Sequence, residues 1–318
     1  MTALEWGLLA LLSLLWGGSF LFIGVAVKEL PPLTLVALRV GLAAAILWSC
    51  GPILGVKPPK SAKALLGLIV MGFGNNAVPF SLISWGQTHL PSGLASILNA
   101  STPLFTVIAA HFLTKTEKLS GAKLMGTVAG LAGVAALVGP ALLTAGGADL
   151  WAELAVLAAS ACYALTTIFA RRMPALGLKP VDIAAGQTTV AALLVAPLAL
   201  ALDRPWTLPW PSTATVASVL AIAALSTALA YIVYFRILAG AGATNVVLVT
   251  LLVPATSVLL GALFLHERLM GRQFLGYALI ALGLAFIDGR PPRMLARRLA
   301  EPRRTAAAPG LPMRPKGE

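Results

Sequence analysis

Long stretches of this chain carry no charge, and that decides which solvent it folds in. No Asp, Glu, Lys or Arg occurs in residues 6–27, 64–114, 124–148, 154–170, 183–202, 205–235 or 237–266. A helix crossing a bilayer needs about 20 consecutive apolar residues, and charge-free runs of that length are its signature. Only 11% of the 318 residues are charged and 58% are hydrophobic, whereas a soluble domain carries about 25% charged residues. A water-soluble enzyme and a disordered chain are both excluded, because neither can carry so much apolar surface.

The run 64–114 is too long for one span and breaks at the turn-like Thr88-His89-Leu90-Pro91-Ser92-Gly93. Shorter apolar runs at 32–51 and 273–287 complete the pattern. The expectation is an all-α integral membrane protein of ten helices. They lie near 4–27, 32–51, 62–86, 91–114, 120–140, 150–171, 180–202, 212–236, 242–265 and 271–288. The connections are short, so function has to reside inside the bundle. Lys and Arg concentrate in cytoplasmic loops. With the N-terminus inside, eighteen fall in inner loops and the tail, and four (Lys28, Arg204, Arg268 and Arg272) in outer ones. Both termini are therefore expected in the cytoplasm, the membrane being a bacterial inner membrane. The formal charge of +12 needs no nucleic acid; it is a topological signal, and the basic segment 289–318 reads as a disordered cytoplasmic tail. Glu5 stands where a signal peptide would have a basic n-region, and Cys50 and Cys162 are isolated thiols.

The two halves can be laid over one another. Pro103 and Glu117 are matched by Pro254 and Glu267, Gly126 by Gly276, and Pro32 and Arg39 by Pro180 and Gln187, with a small gap. This divides the chain into 1–143 and 144–288. Five spans per unit is an odd number, so the second copy enters the membrane inverted. Inverted repeats give a transporter two packings of one sequence, outward-open and inward-open.

Polar residues inside spans are the candidates for the pathway. Asn76, Phe80, Ser84 and Gln87 share one face of helix 3, where GFGNNAVPF (72–80) loosens the backbone. Helix 4 carries Ser92, Ser96, Asn99, Pro103 and Thr106. Buried amides either pair with neighbouring helices or line a wet cavity. Trp6, Trp48, Trp151, Trp206 and Trp210 fall near helix ends, as an interfacial belt does, while Trp16, Trp85, Tyr163 and Tyr231 lie deeper. A π-face beside an amide suits a flat organic metabolite or an amino acid, and plain packing is the equal alternative for each residue alone. Arg39, well inside a span, is either an anion clamp or an architectural clamp on carbonyls, with Gln187 as its repeat mate. Pro79, Pro103 and Pro254 are candidate hinges. No carboxylate falls at mid-span, so uncoupled transport is the simpler expectation. No P-loop or HExxH pattern is present, so neither an ATP-driven pump nor a zinc enzyme is expected, and neither cofactor nor metal.

In these residues the chain resembles the EamA branch of the drug/metabolite transporter superfamily. The resemblance is carried by WGGSF (16–20), ALRVGLAAAI (37–46) and Asn99-Ala100-Ser101-Thr102-Pro103. It is carried too by the duplicated endings TEKLSGAKLMGTVAGLAGV (116–134) and HERLMGRQFLGYALIALGL (266–284). It implies two inverted five-helix repeats around a central cavity lined by helices 1–4 and 6–9, with helices 5 and 10 peripheral. It also implies export of small metabolites; one type, the YddG-like exporters, handles aromatic amino acids. On this chain the implied cavity positions are Trp16, Phe20, Asn76, Phe80, Asn99, Tyr163 and Tyr231, with Glu117 and Glu267 as structural helix-end residues. The expected function is export of aromatic or large neutral amino acids by alternating access. The rivals are a multidrug or other metabolite exporter and, in a different class, a membrane-embedded enzyme or assembly factor. The partners expected are a small-molecule substrate and the lipid bilayer; the oligomeric state stays open, monomer included.

Overall fold

The computed structural model describes residues 2–114, 118–143, 147–241 and 248–288, which form helices and their connections. Glu117 and the segment 289–318 lie outside the described residues. Among the described residues, eight helices are long and apolar enough to cross a membrane. They are α1 (Ala3–Ala26), α2 (Pro32–Ser49), α3 (Ala62–Gly86), α4 (Ser92–Leu113), α5 (Gly121–Leu143), α6 (Ala148–Ala170), α7 (Pro180–Asp203) and α8 (Thr213–Leu238). Two shorter apolar helices follow, α9 (Val249–Phe264) and α10 (Gly271–Asp288). The ninth helix was expected from residue 242; its described part starts at Val249, and 242–247 lie outside the described residues.

The helices start where local chemistry directs. Thr2 and Glu5 form a capping box on α1, Ser61 accepts from the Ala64 amide at the start of α3, and Pro32 and Pro180 occupy the first turns of α2 and α7. Other ends are capped from a distance. The Glu267 carboxylate, in the turn before α10, accepts from the Ser92 amide (2.8 Å), the Ser92 hydroxyl (2.8 Å) and the Gly93 amide (3.1 Å) at the start of α4. Asp203 at the end of α7 accepts from the amide and hydroxyl of Thr34 in the first turn of α2, at 2.7 and 2.8 Å. Asp182 holds the Lys57 and Lys179 amides at 2.7 and 2.9 Å. Exposed Glu29 accepts from the Ser212 amide and hydroxyl, both at 2.7 Å. Each carboxylate sits against N–H groups of a helix start, where the helix dipole favours it, and Asp182 in addition ties down the Lys57 amide of the connection before α3.

Among the described residues, four spans depart from regular α-helix. A π-helical segment interrupts α3 at Phe73–Ala77, another α8 at Ala224–Leu229, and a third ends α7 at Ala199–Asp203. In α4 the helix breaks between Asn99 and Thr102, just before Pro103. Pro254 lies inside α9 without breaking it.

Lipid is as apolar as leucine, so the helices are held by close packing and polar joints rather than by hydrophobic burial alone. Leu14, Leu38, Leu66, Leu193 and Leu220 are exposed along the helices and form the lipid-facing side. Inside, α1 packs on α9 and α8, α2 on α7, and α6 on α3 and α4. The pair α5 and α10 pack mainly on each other. There the backbones touch: a Cβ on Gly126 would lie 2.5 Å from the Gly283 carbonyl, so the spacing of Gly126 and Gly130 is a packing device. Trp85, expected deep in the bundle, is instead 39% exposed at the end of α3, its ring 5.4 Å from that of His89. One residue from the end of a helix, it joins the other helix-end tryptophans.

Candidate functional site

Glycines let α3 approach its neighbours at its π segment. A Cβ on Gly72 would lie 2.8 Å from the Gln187 carbonyl of α7, and one on Gly74 would lie 2.5 Å from the Thr166 side chain of α6. With nothing in the way, Asn75 Nδ2 donates to Gln187 Oε1 at 3.2 Å. The Thr166 hydroxyl reaches Asn75 Oδ1 at 3.5 Å. Gln187 is buried and sits on α7 against this segment.

The extra residue of a π turn redirects the next side chains. Asn76, fully buried, faces α8 and donates through Nδ2 to the Tyr231 hydroxyl at 3.1 Å. Its Oδ1 is buried and accepts nothing, as do the hydroxyl oxygens of Ser84 and Ser226. One turn further along α3, the Phe80 ring lies 3.5 Å below the guanidinium of Arg39 from α2. Arg39 Nε in turn donates to Thr227 Oγ1 of α8 at 3.0 Å. The Thr227 hydroxyl donates to the Ile222 carbonyl, five residues back, at 2.7 Å. The π segment of α8 thus supplies the hydroxyl that holds Arg39. Asn76 thus meets Tyr231 directly, whereas Phe80, four residues on, is linked to Thr227, four residues before Tyr231, through Arg39. Tyr163 of α6 packs against the buried cluster that contains Phe80.

Five of the sequence-nominated residues thus converge where α2, α3, α6 and α8 meet: Arg39, Asn76, Phe80, Tyr163 and Tyr231. The others sit apart. The Trp16 ring of α1 lies 5.6 Å from that of Tyr234, next to a Tyr231, Tyr234 and Phe235 aromatic group on α8. Phe20 is buried and its carbonyl accepts from Gln87 Nε2 at 2.9 Å. Asn99, half-buried at the break in α4, accepts from the Ser160 hydroxyl of α6 at 3.4 Å. Thr227, Ser226 and Tyr234 were not nominated; two hydroxyls inside the apolar run Ala224–Leu229 were the available signal. At the convergence Asn76 bonds Tyr231 and Arg39 bonds Thr227 directly, while Asn76 Oδ1 is left unpaired. A shallow depression of about 470 Å3 lies elsewhere, at the helix ends by Lys28, Glu29 and Trp210. Among the described residues, no three His, Cys, Asp or Glu side chains converge to hold a metal ion.

The arrangement presents a cation on an aromatic face, an amide with a spare acceptor and a phenol, all buried between helices. That combination can bind a polar organic molecule within a membrane; it contains no nucleophile paired with a base. Comparison with known proteins bears on the family of the chain. Residues 4–139 and 150–288 each match the model of the EamA-like transporter family. A protein named a probable amino-acid metabolite efflux pump, from Escherichia coli K12, is 31% identical over 87% of this chain and 93% of its own length. The uncharacterized transporter YoaV of Bacillus subtilis is 26% identical over 86% of this chain and 92% of its own. A solved crystal structure at 22% identity superposes with a TM-score of 0.63, covering 95% of this chain and all of the other.

Proposed function

The chain belongs to the EamA-like transporter family, and we propose that this multi-pass membrane transporter exports aromatic or large neutral amino acids across a bacterial inner membrane by alternating access. The observation that carries the reading is the bond from Asn76 to Tyr231 between α3 and α8, at one of the two facing π segments. Alternating access needs a contact between helices that can be exchanged for substrate, and a π turn leaves carbonyls and amides free to serve both arrangements. The family model matches the chain twice, in keeping with two five-helix units, 1–143 and 144–288, set inverted to one another. Pro79, beside the π segment of α3, Pro103, after the break in α4, and Pro254 in α9 are the bending points in this scheme. Trp16, with Tyr234, and Asn99, with Ser160, flank the route from α1 and α4. The carboxylates of the described spans sit toward helix ends rather than mid-span, which favours uncoupled, downhill flux.

Reconstitution into liposomes tests this directly. Labelled Phe, Met and Thr are followed with and without a proton gradient. The expected result is saturable flux that needs no gradient, with neutral amino acids competing. Flux only in the presence of a gradient would overturn the uncoupled mechanism. If Asn76→Ala and Tyr231→Ala both leave flux unchanged, the site is elsewhere. Flux restricted to unrelated drugs would replace the amino-acid reading with a multidrug exporter.

A further inference from the structure

The reading above leaves one buried group unexplained, the positive charge of Arg39. It is 6% exposed, and of its five N–H donors one, on Nε, is used by Thr227. A charge held between helices in hydrocarbon is costly unless paired. The carboxylates of the described spans face other groups: Asp182 the Lys57 and Lys179 amides, Asp203 Thr34, Glu267 Ser92 and Gly93, while Glu153, one oxygen of which accepts nothing, faces Arg272 near the start of α6. An arginine clamping the scaffold would spend its donors on helix-end carbonyls. Here Phe80 covers one face of the guanidinium and Thr227 takes one corner. Among the described residues nothing accepts from the Nη1 and Nη2 edge, the planar fork that matches a carboxylate with two parallel hydrogen bonds. A second unmet group lies on α3, one turn before Phe80: Asn76 Oδ1, buried and without a donor. A carboxylate matches the guanidinium fork and an ammonium matches the amide oxygen, and these are the two charged groups of an α-amino acid.

We propose that Arg39 is the carboxylate receptor of this transporter and that Asn76 Oδ1 receives the ammonium, so that the substrates are organic carboxylates, α-amino acids above all. The proposal rests on the convergence of α2, α3, α6 and α8 being the transport site. It assigns to Arg39 a role that its repeat mate Gln187 does not share, since Gln187 Oε1 is bonded to Asn75.

The test uses a ligand series on the full-length protein, in detergent and in liposomes. Labelled L-phenylalanine is competed with phenylalaninamide, which keeps the ammonium and loses the carboxylate charge, and with phenylpropionate, which does the reverse. Phenethylamine, lacking the carboxylate altogether, completes the series. The expected result is that phenylalaninamide and phenethylamine compete about a hundredfold more weakly than phenylalanine, the worth of a charge-assisted bidentate pair. Phenylpropionate, which leaves Asn76 Oδ1 without a donor, should compete about tenfold more weakly than phenylalanine and still better than the amide; an undiminished phenylpropionate would overturn the assignment of the ammonium to Asn76. Arg39→Gln should make acid and amide compete alike, and Arg39→Lys should restore part of the difference. An amide that competes as well as the acid on the wild-type protein overturns the proposal and leaves the transporter reading intact. So does an Arg39→Gln protein that still discriminates. If Arg39→Gln fails to fold, the wild-type series decides alone. If no compound of the series binds or moves, both the carboxylate receptor and the amino-acid reading fall.

Discussion

Two joints of the bundle occupy matching places in the two halves of the sequence and are built from different chemistry. In one, Gln187 of α7 meets Asn75 in the π segment of α3. In the other, Arg39 of α2 meets Thr227 in the π segment of α8. Each time, a polar residue seven positions beyond a helix-opening proline contacts the π turn of a helix from the other half. The first joint is neutral: an amide bonds an amide, and both partners gain. The second is charged and only partly satisfied, with one donor engaged and an aromatic ring beneath. On the proposal made above, the difference separates scaffold from function: position and backbone are shared, and the chemistry diverges where a molecule would be received.

Making the neutral joint charged should have the largest effect. Gln187→Arg would bury a second cation opposite Asn75, and an uncompensated buried charge costs about 3 kcal/mol or more. The measurement is thermal unfolding in detergent, and unchanged stability would mean that the α7–α3 joint is as open as the α2–α8 one. Next, Thr227→Val keeps the volume and removes the hydroxyl, leaving Arg39 Nε and the Ile222 carbonyl without it. The expected cost is about 2 kcal/mol together with weakened transport. A Thr227→Val protein with full flux would show that Thr227 does not position the guanidinium. Asn75→Ala should cost about 1 kcal/mol in the same assay, the net worth of a hydrogen bond, with transport kept within a few-fold. Large loss of flux with little loss of stability would make Asn75 part of the pathway.

The smallest effect belongs to the helix-end joints, which should be indifferent to substrate. The Ser212 backbone N–H, with the Ser212 hydroxyl, holds the exposed Glu29 carboxyl below its usual range. A lowered folded value means that its contribution is present above the ordinary carboxylate range and fades as pH falls through the folded value. Glu29→Gln should therefore flatten the acid limb of stability slightly and leave flux at neutral pH unchanged. A change in substrate selectivity would tie this joint to the site.

How much of this was legible beforehand follows from what each residue type reveals. The spans were readable because charge is excluded from hydrocarbon, and the loosened, amide-bearing stretch of helix 3 because GFGNNAVPF puts two amides and three backbone-loosening residues in one apolar run. Arg39 was readable for the same reason, as a lone charge in a span. Which way a residue faces was not. Leu12 is fully buried and Leu14 is 50% exposed on the same helix, because lipid and protein interior want the same side chains and no apolar stripe marks one face. The π segment of α8 was equally hidden: Ala224–Leu229 contains neither glycine nor proline, and Thr227 is matched to Arg39 only by the fold, 188 residues away. The break in α4 was foreshadowed by Pro103, whereas Pro254, its counterpart, sits in a continuous helix.

A π turn also has a consequence for heredity. It accommodates one residue more than the α-helix around it, so it sets the angular phase of every side chain downstream. Deleting a single codon within Phe73–Ala77 or Ala224–Leu229 would leave composition and hydropathy almost untouched. It would also let the wide turn close into α-helix, leaving Phe80 on Arg39 and Tyr231 on Asn76 in nearly the same phase, whereas the same deletion in the regular helix beyond would swing them away by about 100°. In these two helices the wide turn is the one place where a change in length of one residue is absorbed rather than passed on to every side chain that follows.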